Sequence, residues 1–171
     1  CGSSRIILGL PVAVGVDIQL KKLRRIQPRH SRVVRASLTR LPFLDGTFDT
    51  IICSQVIEHV PRQLVRFEEI NRLLRPHGTF IVGTPDYATL TWRWLERAYA
   101  IVHPRGYVNE HINQYTAESL ARDLAEHGFA IRGTAYVGGG ELIYKTEKIA
   151  SARAISASET KQSLRVTALE R

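Results

Sequence analysis

Apolar positions along this chain follow two rhythms, short uninterrupted runs and longer stretches that repeat at helical spacing. Val12–Asp17 and Phe48–Cys53 are brief apolar runs bounded by turn residues, and Phe80–Val82 follows a Pro-His-Gly turn; such runs read as strands covered on both faces. Arg32–Ala36 reads as a further extended piece. Between them, Leu20–Gln27 is a basic amphipathic stretch closed by Pro28. Val60, Leu64, Phe67, Ile70 and Leu74 recur as one face of a helix from about Pro61 to Arg75.

Punctuation fixes the remaining boundaries. Ser4–Leu10 is predicted as a short helix ended by Pro11, and Asp45-Gly46 as a tight turn before the second strand. Gly78 is expected to supply the permissive backbone of the Pro76-His77-Gly78 turn. A more aromatic segment carries Tyr87, Trp92, Trp94, Tyr99 and Tyr107, with a helix predicted over 90–102. Thr116 is placed to cap a later helix and Gly128 to stop it. Phe129–Val137 and Glu141–Tyr144 suit an antiparallel pair around Gly138-Gly139-Gly140. Alternating strands and helices argue for an α/β, doubly wound, mostly parallel sheet over residues 1–150. Residues 151–171 are polar and weakly patterned, and are expected to form a tail.

The chemistry concentrates just past the second long strand. Ser54, Gln55, Glu58 and His59 follow Phe48–Cys53 directly, and open α/β sheets bind ligands beyond the carboxyl ends of their strands. Asp17 closes the earlier strand, where a carboxylate accepts two ribose hydroxyls or else caps the next helix. Histidine is the side chain suited to act as a base near neutrality, and His59 either takes that role or packs at a helix start.

These residues carry a resemblance. Leu41-Pro42-Phe43, Asp45, Phe48-Asp49, a strand, then Ser54 and Glu58-His59-Val60 resemble the class I S-adenosylmethionine-dependent methyltransferases, especially the ubiquinone-type O-methyltransferases. Leu73-Leu74-Arg75-Pro76-His77-Gly78 is similar to the family's turn before its fifth strand, with His77 where the family has glycine. Cys1-Gly2-Ser3-Ser4 looks like the second half of the family's glycine motif, so the chain is expected to be cut within that motif, its first strand missing. A lipoprotein terminus is the alternative reading of the same four residues.

The resemblance implies a Rossmann-like sheet with a final antiparallel strand and S-adenosyl-L-methionine as cofactor. It assigns donor binding to Gly2, Asp17, Ile18, Ser37, Leu38 and Ser54, with Ser37 standing where aspartate is common. Glu58 and His59 become the catalytic candidates, while His111 and Tyr115 fall in a substrate-side segment. Some relatives hold a divalent cation with Glu-x-x-Glu-His; here Gln55 replaces the first glutamate, and no metal is expected. The reaction the resemblance implies is methyl transfer to a small-molecule acceptor, at oxygen.

Composition changes this picture in one respect. Two cysteines make no disulfide framework and point to a reducing, cytoplasmic setting. The apolar run Ile6–Val16 is too short to span a bilayer and is broken by Gly9, Pro11 and Gly15. The net charge of +8 is concentrated at Lys21, Lys22, Arg24, Arg25, Arg29, Arg32, Arg35 and Arg40, with no carboxylate between Asp17 and Asp45. That block raises a second reading, a nucleic-acid-binding or RNA-methylating protein, although it lacks interleaved aromatics for base stacking. A nicotinamide-dependent dehydrogenase would share the Asp17 spacing, but Gly-x-Gly-x-x-Gly is not visible.

Overall fold

The computed structural model describes residues 9–10, 12–29, 32–94 and 112–149. The predicted helix at Ser4–Leu10 lies largely outside these residues, as do the later part of the 90–102 helix, Gly2, His111 and the 151–171 tail. The chain divides into two compact units, Cys1–Phe43 and Leu44–Arg171.

The first unit contains β1 (Gly15–Asp17), α1 (Leu20–Ile26) and β2 (Val33–Arg35). β1 and β2 pair in parallel, Gly15 opposite Val33 and Asp17 opposite Arg35. The helix between them makes that arrangement possible, since parallel neighbours need a crossover. α1 buries Leu23 and Ile26, one helical step apart, and leaves Lys21, Lys22, Arg24 and Arg25 exposed. β1 is shorter than the predicted Val12–Asp17 run. The Ala13 N–H donates to the Leu10 carbonyl at 2.9 Å, so the chain turns there and Val12 stays 80% exposed.

The second unit is a four-stranded sheet in the order β3–β4–β6–β5. Its elements are β3 (Phe48–Ser54), α2 (Phe67–Leu73), β4 (Leu74–Pro85), α3 (Ala117–Glu126), β5 (Phe129–Val137) and β6 (Glu141–Lys148). β3 and β4 are parallel, and β6 runs antiparallel to both β4 and β5. The last strand in sequence is therefore the reversed one, wedged between β4 and β5. Phe80 lies at the centre of the core, fully buried, its ring 6.4 Å from Phe67 of α2 and 5.3 Å from Phe129 of β5. Leu120 and Leu124 of α3, four residues apart, close over the core and are also fully buried.

β3 is less covered than its apolar run suggests. Only Cys53 is buried along it and Ile52 is 41% exposed, because β3 is an edge strand of this sheet. The helix predicted from Pro61 to Arg75 is broken: a single turn at Arg62–Leu64, preceded by another at Ile57–His59, comes before α2, which runs only from Phe67 to Leu73. Pro61 and Val65 are extended, with ψ of 133° and 115°. The Val60 carbonyl, which a continuous helix would present to Leu64, accepts instead from the side-chain amide of Asn113. A tertiary partner outcompetes the local helical bond.

The Pro76-His77-Gly78 segment, expected as a turn ahead of the strand, lies inside β4, where the register with β3 shifts. His77, not Gly78, takes the left-handed backbone, with φ of 61°. Gly78 serves a different need: a Cβ there would stand 2.9 Å from the Arg75 carbonyl oxygen. The His77 ring is held by Glu147, Nδ1 to Oε1 at 2.8 Å, on the neighbouring strand.

α3 starts as the sequence suggests. The Thr116 hydroxyl accepts from the Ser119 N–H at 3.1 Å and the Ser119 hydroxyl accepts from the Thr116 N–H at 2.9 Å, a reciprocal cap. Thr116→Ala is expected to lower stability by about 1 kcal/mol, read as a lower urea midpoint at unchanged slope. An unchanged midpoint would mean that solvent replaces the cap without loss.

Candidate active site

Of the described donor-side candidates, Asp17, Ile18, Ser37 and Leu38 belong to the first unit and Ser54 to the second. Asp17 ends β1, and its carbonyl accepts from the Ala36 N–H at 3.3 Å, which brings the residues after β2 alongside. Asp17 Oδ1 accepts from the Gln19 N–H at 2.8 Å, so the carboxylate also shapes the entry to α1. Ile18 beside it is 60% exposed, a large apolar side chain facing water at the carboxyl end of a parallel strand. The Ser37 hydroxyl lies 2.9 Å from that of Thr39 and accepts from the Thr39 N–H at 3.2 Å, closing a small turn over Leu38.

This residue set fits a nucleoside. A carboxylate suits paired ribose hydroxyls, and an exposed aliphatic side chain next to it suits the face of a base. Gly2, the remaining donor-side candidate of this region, lies outside the described residues.

The acceptor-side candidates belong to the second unit. β3 ends at Ser54, and Gln55 follows in the left-handed region with φ of 55°, its N–H bonded to the Gly83 carbonyl at 3.0 Å. Non-glycine residues in that region are uncommon and concentrate at functional turns. The Ser54 hydroxyl donates to Glu141 Oε1 at 3.3 Å, the Glu141 side chain passing over Gly83. A Cβ at residue 83 would sit 3.2 Å from Ser54 Oγ and 3.3 Å from Glu141 Oε1, so glycine is what lets these side chains meet.

Glu58 and His59 sit on the single turn that follows. Glu58 is fully buried, and neither carboxylate oxygen has a partner within hydrogen-bond geometry. His59 Nε2 lies 3.8 Å from Glu58 Oε1, and the His59 side chain is 35% exposed. Burial pushes the Glu58 carboxyl up to about 7. Its own N–H, the His59 ring and the Thr84 hydroxyl oppose that, while Glu141 adds to it. The pair therefore joins a buried acid poised near neutrality to an imidazole that reaches solvent.

Tyr115 is 1% exposed, its ring beneath the Arg62 guanidinium at 5.7 Å and its hydroxyl without a bonding partner. Burial, with Asp123 second, pushes that phenol up to about 12. It stays a neutral donor throughout the ordinary pH range. His111 lies outside the described residues. Cys53, at the end of β3, is buried with its thiol pushed up to about 12, which makes it an inert packing residue.

Sequence reasoning missed three residues here. Glu141 and Thr84 come from strands whose tips meet only in the folded sheet. Asn113 donates through its side-chain amide to the Ile57 carbonyl at 3.2 Å and to that of Val60. Nothing local marks it; a polar residue between Ile112 and Tyr115 in a helix-leading segment was the available signal.

The sheet, with its reversed final strand and its polar groups past the strand tips, defines a Rossmann-like α/β protein of the nucleoside-binding kind. A family model described as a methyltransferase domain matches residues 7–133, and the chain belongs to that family, whose cofactor is S-adenosyl-L-methionine. A probable S-adenosylmethionine-dependent methyltransferase of Mycolicibacterium smegmatis is 35% identical over 80 residues, 46% of this chain and 31% of that protein. A malonyl-[acyl-carrier protein] O-methyltransferase of Legionella pneumophila is 26% identical over 121 residues, 67% of this chain and 40% of the relative. The chain thus spans about two fifths or less of these curated relatives. Among solved structures, a SAM-dependent methyltransferase of Thermotoga maritima, possibly a histamine N-methyltransferase, superposes with a TM-score of 0.70 at 20% identity. That match covers 86% of this chain and 78% of the other. No helix among the described residues is long and apolar enough to cross a membrane.

Proposed function

We propose that this protein transfers a methyl group from S-adenosylmethionine to a small-molecule acceptor, at an oxygen atom, with His59 as the base. The observation that carries the reading is the pair just past β3: an imidazole open to solvent, 3.8 Å from a carboxyl group held in the interior. A hydroxyl acceptor must lose a proton as its oxygen takes the methyl, and this pair is built to receive one. The bound donor supplies a methyl on a sulfonium, an electrophile that needs little covalent help. The protein's remaining task is alignment, which is worth roughly 7–11 kcal/mol of barrier. Asp17 and Ile18 would hold the nucleoside, with Ser37, Leu38 and Gly2 assisting and Ser54 contributing through its backbone. Glu58 would share the acceptor's proton, and His111 and Tyr115 would belong to the acceptor side. Oxygen as the acceptor atom draws support from the name of the Legionella relative.

Calorimetric titration with S-adenosylhomocysteine tests the donor half of the reading. Incubation with S-adenosylmethionine and panels of phenols, carboxylic acids and amines, with mass analysis of products, tests the acceptor half. Methylated amines alone would overturn the assignment to oxygen. Asp17→Ala is expected to weaken S-adenosylhomocysteine binding about tenfold, the size of one lost charge-assisted hydrogen bond. Undiminished affinity would restrict Asp17 to shaping the turn.

A second reading retains one specific support. Lys21, Lys22, Arg24, Arg25, Arg29, Arg32, Arg35 and Arg40 are all exposed. If they grip phosphates, binding to a nucleic acid duplex will fall steeply as salt rises; the small-molecule reading expects no such binding.

A further inference from the structure

The turn that presents Glu58 and His59 cannot hold itself. It spans Ile57–His59, a single 3-10 turn, and such turns have few internal bonds and poor geometry. Its own bonds are His59 N–H to the Val56 carbonyl at 3.1 Å and Val60 N–H to the Ile57 carbonyl at 3.3 Å. On either side the backbone is non-helical, Gln55 left-handed and Val60 extended.

The missing support comes from one distant residue and its neighbour. The Asn113 side-chain amide donates to the carbonyls at both ends of the turn, Ile57 and Val60. The Asn113 backbone N–H donates to the Glu58 carbonyl at 3.0 Å, and the Ile112 N–H shares that acceptor at 2.8 Å. Both side-chain partners are carbonyl oxygens, which fixes the amide with its nitrogen inward. Ile57 is 1% exposed, so without Asn113 its carbonyl keeps only the Val60 N–H and has little access to water.

We infer that Asn113 is a positioning residue, one that holds the Ile57–Val60 turn so that the His59 ring and the Glu58 carboxyl stay paired. Its significance for catalysis rests on the methyltransferase reading, but the pairing itself is a property of the turn and is measured without any acceptor. The groups around Glu58 are His59 on its own turn, Cys53 on β3, Thr84 on β4, Glu141 at the start of β6, and Tyr115. Cys53 and Tyr115 stay uncharged near neutrality, since each is pushed up to about 12. A step near pH 7 in the Glu58 carboxyl resonance therefore reports that group held in the interior, its carboxyl pushed up to about 7 by burial.

The test is nuclear magnetic resonance of the whole chain, following the side-chain carboxyl carbon of Glu58 from pH 5 to 9. Wild type is expected to show a chemical-shift step near pH 7 that disappears in Glu58→Gln. Asn113→Ala, which removes the amide, and Asn113→Asp, which keeps its shape but donates nothing when ionised, are both expected to lose the step. Asn113→Gln, which retains the donors, is expected to recover part of it. Far-ultraviolet circular dichroism should leave all three folded. Retention of the step in Asn113→Asp would overturn the inference, as would absence of a Glu58-dependent step in wild type. Loss of the fold in both the Ala and Asp variants would also overturn it, because Asn113 would then support the domain and not the turn. Failure of the methyltransferase reading would appear separately, as absent S-adenosylhomocysteine binding by wild type.

Discussion

His59→Ala is expected to lower methyl-transfer turnover about a hundredfold or more, the usual range for loss of a positioned acid or base, while S-adenosylhomocysteine affinity stays unchanged. The expectation follows from where the ring sits. It emerges from the first turn after β3, 35% exposed, while the carboxyl 3.8 Å behind it is shut away from water. An exposed imidazole alone is a poor argument for catalysis. A buried carboxyl with no bonded partner beside it is a better one, because an unsatisfied polar group costs stability and is retained for a reason. A change that lowers turnover and the ratio kcat/KM equally removes an interaction made in the transition state. Steady-state kinetics on the acceptor that wild type methylates, paired with calorimetry, separates that from a binding defect. His59→Gln, which keeps a polar side chain but takes up no proton, should be equally slow. Full turnover in either variant would remove His59 from the mechanism.

The parts of this fold that local chemistry controls were legible in the sequence. Thr116 and Gly128 bracket α3, Pro28 follows the end of α1, and the three glycines from 138 to 140 turn β5 into β6. Each of these is a contest between neighbouring residues, so a one-dimensional reading suffices. The stretch from Val60 to Val65 is the opposite case. Its apolar spacing is helical, yet Asn113, 53 positions away from Val60, takes the carbonyl that a helix would use. The Pro76-His77-Gly78 segment, read as a turn ahead of the strand, lies inside β4, and the left-handed backbone expected at Gly78 falls on its neighbour. His77 adopts the left-handed backbone and Gly78 provides room for the Arg75 carbonyl.

The candidate site divides the same way. Asp17, Ser54, Glu58 and His59 were visible because strand tips in α/β sheets gather ligands, and a polar cluster after an apolar run marks a tip. Glu141 was not, because β6 runs antiparallel and presents its first residue, not its last, at that end of the sheet. Pro85 of β4 pairs with Glu141, which sets the carboxylate over Gly83 and against Ser54. That register is a product of the whole hairpin, and no window of sequence around residue 141 contains it.

Glu58→Gln is expected to stabilise the protein at pH 8 by an amount of order 3 kcal/mol and to change it little at pH 5. Burial raises the folded carboxyl from its ordinary 4.5 to about 7. Between those values the folded chain keeps a proton that the unfolded chain has released, so stability falls as pH rises through that window. Below it both states are protonated, and the buried acid carries no charge. Above it the folded protein must hold a carboxylate that is 0% exposed, without a bonded partner and within reach of Glu141. Each pKa unit corresponds to about 1.4 kcal/mol, which gives the expected size. Glutamine has nearly the shape of the protonated acid, and so it removes the penalty without opening a cavity. In a chain of this length the gain at pH 8 would raise the melting temperature by roughly 6–12 °C, against little change at pH 5. Thermal unfolding of wild type and variant at both pH values measures the difference directly. An equal shift at the two values would mean that the Glu58 carboxyl binds its proton no more tightly in the folded protein than in the unfolded chain. The same variant is expected to lose turnover, since the group that destabilises the fold above neutrality is the one placed to share the proton His59 receives. Stability gained and activity lost in one substitution is the outcome that a structural carboxyl would not produce.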